Sequence, residues 1–226
     1  MSALNTSVVE MVKSIKKGEI TSEELVKNYT KEIKKKEKDI QAWEFFDEEL
    51  AIAQAKKLDL LHQSGNHGDL HGIPVGVKDI FDTADMPTTD GTEIHKENPS
   101  FNDCTVVSKL KQAGAVIMGK TVTCELAYYS PGKTKNPHDL NRTPGGSSSG
   151  SAAAVASHMV PLAVGSQTNG SVIRPASYCG VVGYKPTRGL ISRHLVLQVS
   201  RKLDQIGVFS NSVEDAALIS EQLIGY

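Results

Sequence analysis

A change of hydrophobic period at His71 constrains the fold more than any other feature of this chain. Before it, apolar residues recur at helical spacing. Val8, Met11, Val12 and Ile15 share one face, and Gly18 is a fitting C-terminal stop. Thr21 and Glu24 form a capping-box pattern that opens a helix with Leu25, Tyr29 and Ile33 on one side. Leu50, Ala53, Leu58 and Leu61 suggest a third, so the segment 1–66 reads as helical throughout. From His71 the period shortens. Ile73, Val75 and Val77 alternate as a strand does and end in Lys78-Asp79. Asp103 is the expected cap of a helix carrying Val106, Val107 and Leu110, stopped by Gly114. Ala115–Met118 and Val160–Val164 read as strands, and Ser212 with Asp215 caps a last helix through Leu218 and Leu223. Helices alternating with short strands predict an α/β layered fold, because an apolar strand needs helices to cover it.

Composition narrows the function classes. The chain has 226 residues, of which 39% are hydrophobic, enough for a sizeable core in one large domain or two small ones. Lys+Arg is 25 against Asp+Glu 26, a balance that argues against a nucleic-acid groove or a polybasic membrane surface. The Lys34-Lys35-Lys36 run has acidic neighbours Glu32, Glu37 and Asp39 and reads as a solvated helix face. No apolar run approaches the ~20 residues of a membrane span. Met1–Glu10 shows no basic start followed by an apolar stretch, so no secretory signal is expected. Cys104, Cys124 and Cys179 are few, odd in number and without CxxC spacing, which argues against a disulfide scaffold or a structural zinc site. The expectation is a reduced, cytoplasmic protein.

Two motif matches fail on context. Gly114 to Thr121 fits the P-loop pattern GxxxxGK[ST], which needs a strand, a phosphate-wrapping loop and then a helix. Here a helix precedes Gly114 and the intervening residues are apolar, two of them β-branched, so they favour a buried strand. Gly146-Ser147-Ser148-Ser149-Gly150 fits the GxSxG nucleophile elbow, but no strand precedes it and no histidine follows a later acid. His67 and His71 stand four apart across a turn-like stretch and read as solvent-facing loop residues, not a metal pair.

The segment Pro144–Pro175 remains. A flexible linker accounts for Gly145–Ser151 but not for the second Gly/Ser/Thr cluster, Gly165–Ser171, which follows an apolar strand. Two such clusters flanking a helix and a strand can bring backbone N–H groups and hydroxyls together, which is the equipment of an oxyanion site.

GGSSSGSAAAVA, followed by GSQTNGSVIRPASYCGVVGYKPT, resembles the amidase signature family of serine hydrolases. The likeness extends upstream through HGIPVGVKDIFDT, GKT and KNPHDLNRTPGG, and downstream through RGLISRH and KLDQIGVFSNSVEDAA, so it covers about Leu70 to the C-terminus. It implies α/β/α layers with a mixed central sheet, a helical N-terminal segment (1–66) and a catalytic core portion (67–226) of a single domain. It also implies a lysine and two serines as the catalytic groups, with no cofactor and no metal. Lys78 matches the family's lysine. Ser147 matches the bridging serine, held after a cis peptide bond that would fall at Gly146–Ser147. Ser171 matches the nucleophile, and the amides of Thr168, Asn169, Gly170 and Ser171 match the oxyanion hole. Arg174 matches an arginine that in some relatives recognises a substrate carboxylate, a task suited to a guanidinium fork. Lysine can serve as base only when neutral, and burial beside Ile73, Val75 and Val77 would favour that form. The implied reaction is amide C–N hydrolysis through an acyl-enzyme, on a small-molecule amide.

Two departures from the family pattern stand out. Asn169 replaces the first glycine of Gly-Gly-Ser, which asparagine tolerates best if that position needs a positive φ. The family's domain runs roughly twice as far, so the expectation is the N-terminal half of the domain, with its C-terminal part absent. Such a chain would need a C-terminal partner chain or form a homo-oligomer. An alternative within the family is the glutamine-hydrolysing component of the tRNA-dependent glutamyl/aspartyl amidotransferase, its A subunit, with glutamine as ammonia donor. Alternatives of another class are nucleotide binding through Gly114–Thr121 and an inactive fragment.

Overall fold

The computed structural model describes residues 6–65, 67–96 and 100–225. The N-terminal reading of helices holds. Helix α1 (Val8–Lys16) buries Val8, Met11, Val12 and Ile15, and Ser7 caps it. Helix α2 (Ser22–Ile40) opens with the full Thr21/Glu24 capping box and buries Leu25, Tyr29 and Ile33. Strand β1 (Trp43–Phe46) follows, an element without any period-2 signal, so the segment is helical around one strand. Helix α3 (Glu48–Gln63) comes next, but it buries Ala51 and Ala55, while Leu61 is exposed. Small residues let α3 lie close on its neighbours; Leu50, Ile52 and Leu58 pack half-buried against the core, while Leu60 joins Leu61 in solvent.

Strand β2 (Pro74–Lys78) is buried at every position, as expected of a parallel strand covered on both faces. Helix α4 (Thr105–Gln112) is capped from Cys104, not Asp103. The Asp103 carboxylate instead accepts from the Ala84 N–H and binds the Lys111 ammonium. Strand β3 (Val116–Thr121) follows, then helix α5 (Ser149–Ala156), strand β4 (Leu162–Gln167), helix α6 (Ile173–Cys179), strands β5 (Val182–Tyr184) and β6 (Gln205–Ser210), and helix α7 (Val213–Leu223) with Ser212 as its cap. These strands form one mixed sheet in the order β1-β3-β2-β4-β6-β5. β2 runs parallel to both β3 and β4, whereas β1, β5 and β6 pair antiparallel. One hydrophobic cluster runs from Val8 to Leu223.

The P-loop match dissolves in this topology. Gly119, Lys120 and Thr121 are strand residues paired with β2, and a Cβ on Gly119 would come 2.2 Å from the Phe45 carbonyl oxygen of β1. Glycine at 119 therefore serves the close approach of an edge strand. Helix α5 has buried residues from Ser149 to Val155, an all-round burial that only small side chains permit. A Cβ on Gly150 would lie 2.3 Å from both the Ala42 carbonyl oxygen and the Val122 nitrogen, so this glycine seats the helix. Among the described residues no helix is long and apolar enough to cross a membrane. His71 corrects the sequence reading: it is 1% exposed and packs against His62 and His67.

Candidate active site

Lys78 ends β2 with its side chain fully buried. Its Nζ donates to Ser147 Oγ at 2.7 Å and to Ser166 Oγ at 3.0 Å. Burial lowers its pKa from 10.5 to about 7, against weaker opposing pulls from Cys124 and Asp204. An ammonium held between hydroxyls loses its hydration without gaining a counter-charge, so the neutral amine is accessible near neutral pH.

Ser147 follows a cis Gly146–Ser147 peptide bond, as the resemblance implied. Its carbonyl accepts from the Cys124 N–H at 3.0 Å. Ser148, the centre of the GxSxG match, faces away from this role: its hydroxyl donates to the Ser166 carbonyl at 3.2 Å, and its N–H donates to the Ser171 carbonyl at 3.3 Å. These bonds tie the start of α5 to the end of β4 and to the loop carrying Ser171.

Thr168, Asn169, Ser171 and Arg174 line one pocket with Ser147, walled by Ala127, Tyr128, Tyr129 and Val199. Lys78 lies beneath it and reaches it through Ser147. Gln167 anchors the loop, its side-chain oxygen accepting from the N–H groups of Val172 and Ile173 at 2.9 and 3.0 Å. Asn169 is not among the residues with positive φ, so its backbone conformation is open to any residue. Its side-chain oxygen accepts from Arg174 Nη2 at 3.2 Å, and Arg174 packs over Gly170. Asparagine here binds an arginine; it does not stand in for a left-handed glycine.

Three contributors escaped the sequence reading. Ser166 gives Lys78 its second hydroxyl partner. Asp204 takes the Thr168 hydroxyl at 2.6 Å on one oxygen and the Val199 and Ser200 N–H groups, both at 2.8 Å, on the other. It therefore joins the Thr168–Ser171 loop to the loop that carries Val199. The third is the turn at Leu126 and Ala127, whose φ values of 49° and 56° are unfavourable for side chains with a Cβ. That turn sets Tyr128 and Tyr129 at the pocket mouth. Asp204 sits in the KLDQIG segment and could have been found as an acid preceding a strand. The other two had no local signal.

The family model described as Amidase matches residues 24–226. The A subunit of the glutamyl-tRNA(Gln) amidotransferase of Natranaerobius thermophilus is 43% identical, over 97% of this chain and 46% of its own length. The native peptide amidase from Stenotrophomonas maltophilia superposes with a TM-score of 0.93 at 32% identity, covering 98% of this chain and 48% of its own. The A subunit of the glutamyl-tRNA(Gln) amidotransferase from Thermotoga maritima gives a TM-score of 0.83 at 38% identity, covering 99% of this chain and 47% of its own. The chain spans about half the length of the curated relatives it matches. With the family model matching all but the first helix and its flanks, on a fold that these solved structures share, the chain belongs to the amidase family.

Proposed function

We propose that the protein hydrolyses an amide C–N bond, with Ser171 as nucleophile and Lys78 as the base acting through Ser147. The observation that carries this reading is the fully buried Lys78 ammonium, 2.7 Å from the Ser147 hydroxyl and with its pKa lowered to about 7. A serine hydroxyl needs such a base before it can attack. Ser171 Oγ adds to the amide carbonyl carbon while its proton passes to Ser147, whose own proton passes to Lys78. The N–H groups of residues 168–171 hold the oxyanion. Collapse breaks the C–N bond, and the proton returns from Lys78 through Ser147 to the leaving amine. Water then attacks the acyl-enzyme ester by the same relay and releases the acid. Arg174 offers its guanidinium to a substrate carboxylate, and Ser166 and Asp204 act as positioning residues.

The test is covalent labelling with a fluorophosphonate, mapped by mass spectrometry. The adduct is expected on Ser171 and lost in Ser171→Ala. An adduct on another serine, or none on a protein that turns over amides, overturns the assignment.

A second reading is the A subunit of a tRNA-dependent amidotransferase, favoured by the 43% identity to a relative of that name. Glutamine hydrolysis that rises on adding partner subunits would select it over a stand-alone amidase. In either case the exposed Leu126, Tyr128, Tyr129, Ile173 and Tyr178 near the pocket fit contact with further polypeptide, a C-terminal partner chain or a second copy. Light scattering after size-exclusion chromatography would then report more than the 24.3 kDa of one chain.

A further inference from the structure

We infer that His62, His67 and His71 form a binding site for a divalent ion of the zinc class, at the opposite end of β2 from the candidate active site. The three histidines come from different local structures. His62 lies in the last turn of α3, His67 in the loop beyond it, and His71 just before β2. One ring nitrogen from each lies within 4.8 Å of the other two. The His62 and His67 rings already meet Nδ1 to Nδ1 at 2.9 Å. Ring centroids are 4.3 Å apart for His62 and His67, 5.8 Å for His62 and His71, and 5.4 Å for His67 and His71.

The second observation is a cost that the protein alone leaves uncompensated. His71 is buried, its ring bonds the Leu58 backbone, and its Nε2 has no hydrogen-bond partner among the described residues. A buried polar atom without a partner is destabilising, because it has given up water and gained nothing in return. A metal ion would take up that lone pair, and the backbone bond on the ring would orient it as such bonds orient metal-bound histidines.

The geometry is within reach of a tetrahedral ion. Zn–N bonds of about 2.0–2.1 Å place ligand nitrogens roughly 3.3–3.4 Å apart. The His62–His67 contact must open by about half an ångström, and a separation at the 4.8 Å limit must close by somewhat more than 1 Å. His67 stands on a loop and can supply the opening, while the approach of His62 to His71 falls to the His62 side chain in the last turn of α3. Imidazole donors suit zinc, copper and nickel better than magnesium or calcium. Asp59, the nearest acid on α3, is already used: its carboxylate accepts from the Ser22 and Glu23 N–H groups at 2.7 and 3.0 Å. The fourth position is therefore left to water. At ~3.3 Å per strand residue, β2 keeps this cluster on the order of 15–20 Å from Lys78, so the ion would be structural. It would clamp the C-terminus of α3 to the start of β2.

The test is zinc titration of the full chain after EDTA dialysis, followed by calorimetry, with cobalt substitution as an optical readout. One equivalent should bind, raise Tm by ~5 °C at a hundredfold excess over Kd, and give the intense visible bands of tetrahedral cobalt. His67→Ala, on the loop, should keep the fold and weaken zinc binding at least tenfold, and His62→Gln should do the same. His71 is buried, so its variants are not needed for the test. Absence of stoichiometric uptake, or equal affinity in both variants and the parent, overturns the site. In that event the His62–His67 contact is an N–H···N hydrogen bond only.

Discussion

Two lysines lie side by side in the centre of the sheet, and their surroundings differ in kind. Lys78 of β2 and Lys120 of β3 occupy adjacent registers, Lys78 opposite Thr121 and Lys120 opposite Val77, so they point to opposite faces. Both are fully buried. Burial lowers the pKa of each. Lys120, however, meets the Asp79 carboxylate at 3.5 Å and donates to the Phe81 and Pro87 carbonyls at 2.8 and 3.1 Å and to the Thr88 hydroxyl at 2.6 Å. A carboxylate and carbonyls can only accept, so they favour the ammonium of Lys120 against the burial that lowers its pKa and raises that of Asp79. Asp79 is itself fixed by the N–H and hydroxyl of Thr89. Among the described residues Lys78 bonds to serine hydroxyls, which can accept from an ammonium or donate to an amine. The comparison teaches that desolvation alone does not make a base: the partners decide whether the buried charge is kept or given up.

Exchanging each lysine for methionine should separate the two roles. Lys78→Met should remove amide turnover by about 10³-fold or more, leaving a folded protein. Lys120→Met should instead leave Asp79 buried and unpaired, costing about 3–5 kcal/mol in chemical denaturation, while the folded fraction keeps its turnover. If Lys120→Met abolished turnover without loss of stability, the contrast would collapse. Asp204→Asn comes next in size. It places an amide NH₂ where an oxygen now accepts, so kcat/KM should fall by about ten- to a hundredfold through a displaced Thr168. An unchanged profile would show that the Thr168 loop does not need that anchor.

The pH dependence sharpens the same contrast. Lys78 must be neutral to act, so kcat/KM should fall by about tenfold per unit as pH drops below about 7. Its folded pKa lies below the unfolded value, so between about pH 7 and 10.5 the unfolded chain binds the extra proton. Stability should therefore rise with pH across that window by up to about 1.4 kcal/mol per unit. Lys78→Met should be more stable than the parent near pH 7, with the difference shrinking by pH 10. A constant difference would place the lowered pKa elsewhere. The smallest effect concerns Arg174: Arg174→Lys should raise KM a few-fold for amides bearing a carboxylate and leave neutral amides unchanged. Equal KM values for both classes would remove its binding role and leave its bond to Asn169.

The elements legible in the sequence are those whose own period or cap carries the information. The capping box at Thr21, the alternation up to Lys78 and the Ser212 cap are local facts of side-chain spacing. Strands β1, β5 and β6 were not legible, because β1 and β5 are short and the adjacent Val208-Phe209 of β6 breaks its alternation. Lys78, Ser147, Ser171 and Arg174 were singled out as candidates through a long resemblance, not through spacing, since they come from three separate stretches. The resemblance spans Ser166, Asp204 and the Leu126–Ala127 turn as well, but it gave them no role. Spacing placed His67 and His71 on a solvated loop, whereas packing buries His71 beneath His62 and His67. What the sequence by itself determined is which segments become helix or strand where the pattern is periodic, and which residue types are available to act. Only the tertiary structure decided that Lys78 loses its water without gaining an acid while Lys120 gains one. That outcome depends on which side chains cross from neighbouring elements, and pKa follows those through-space partners, not chain order.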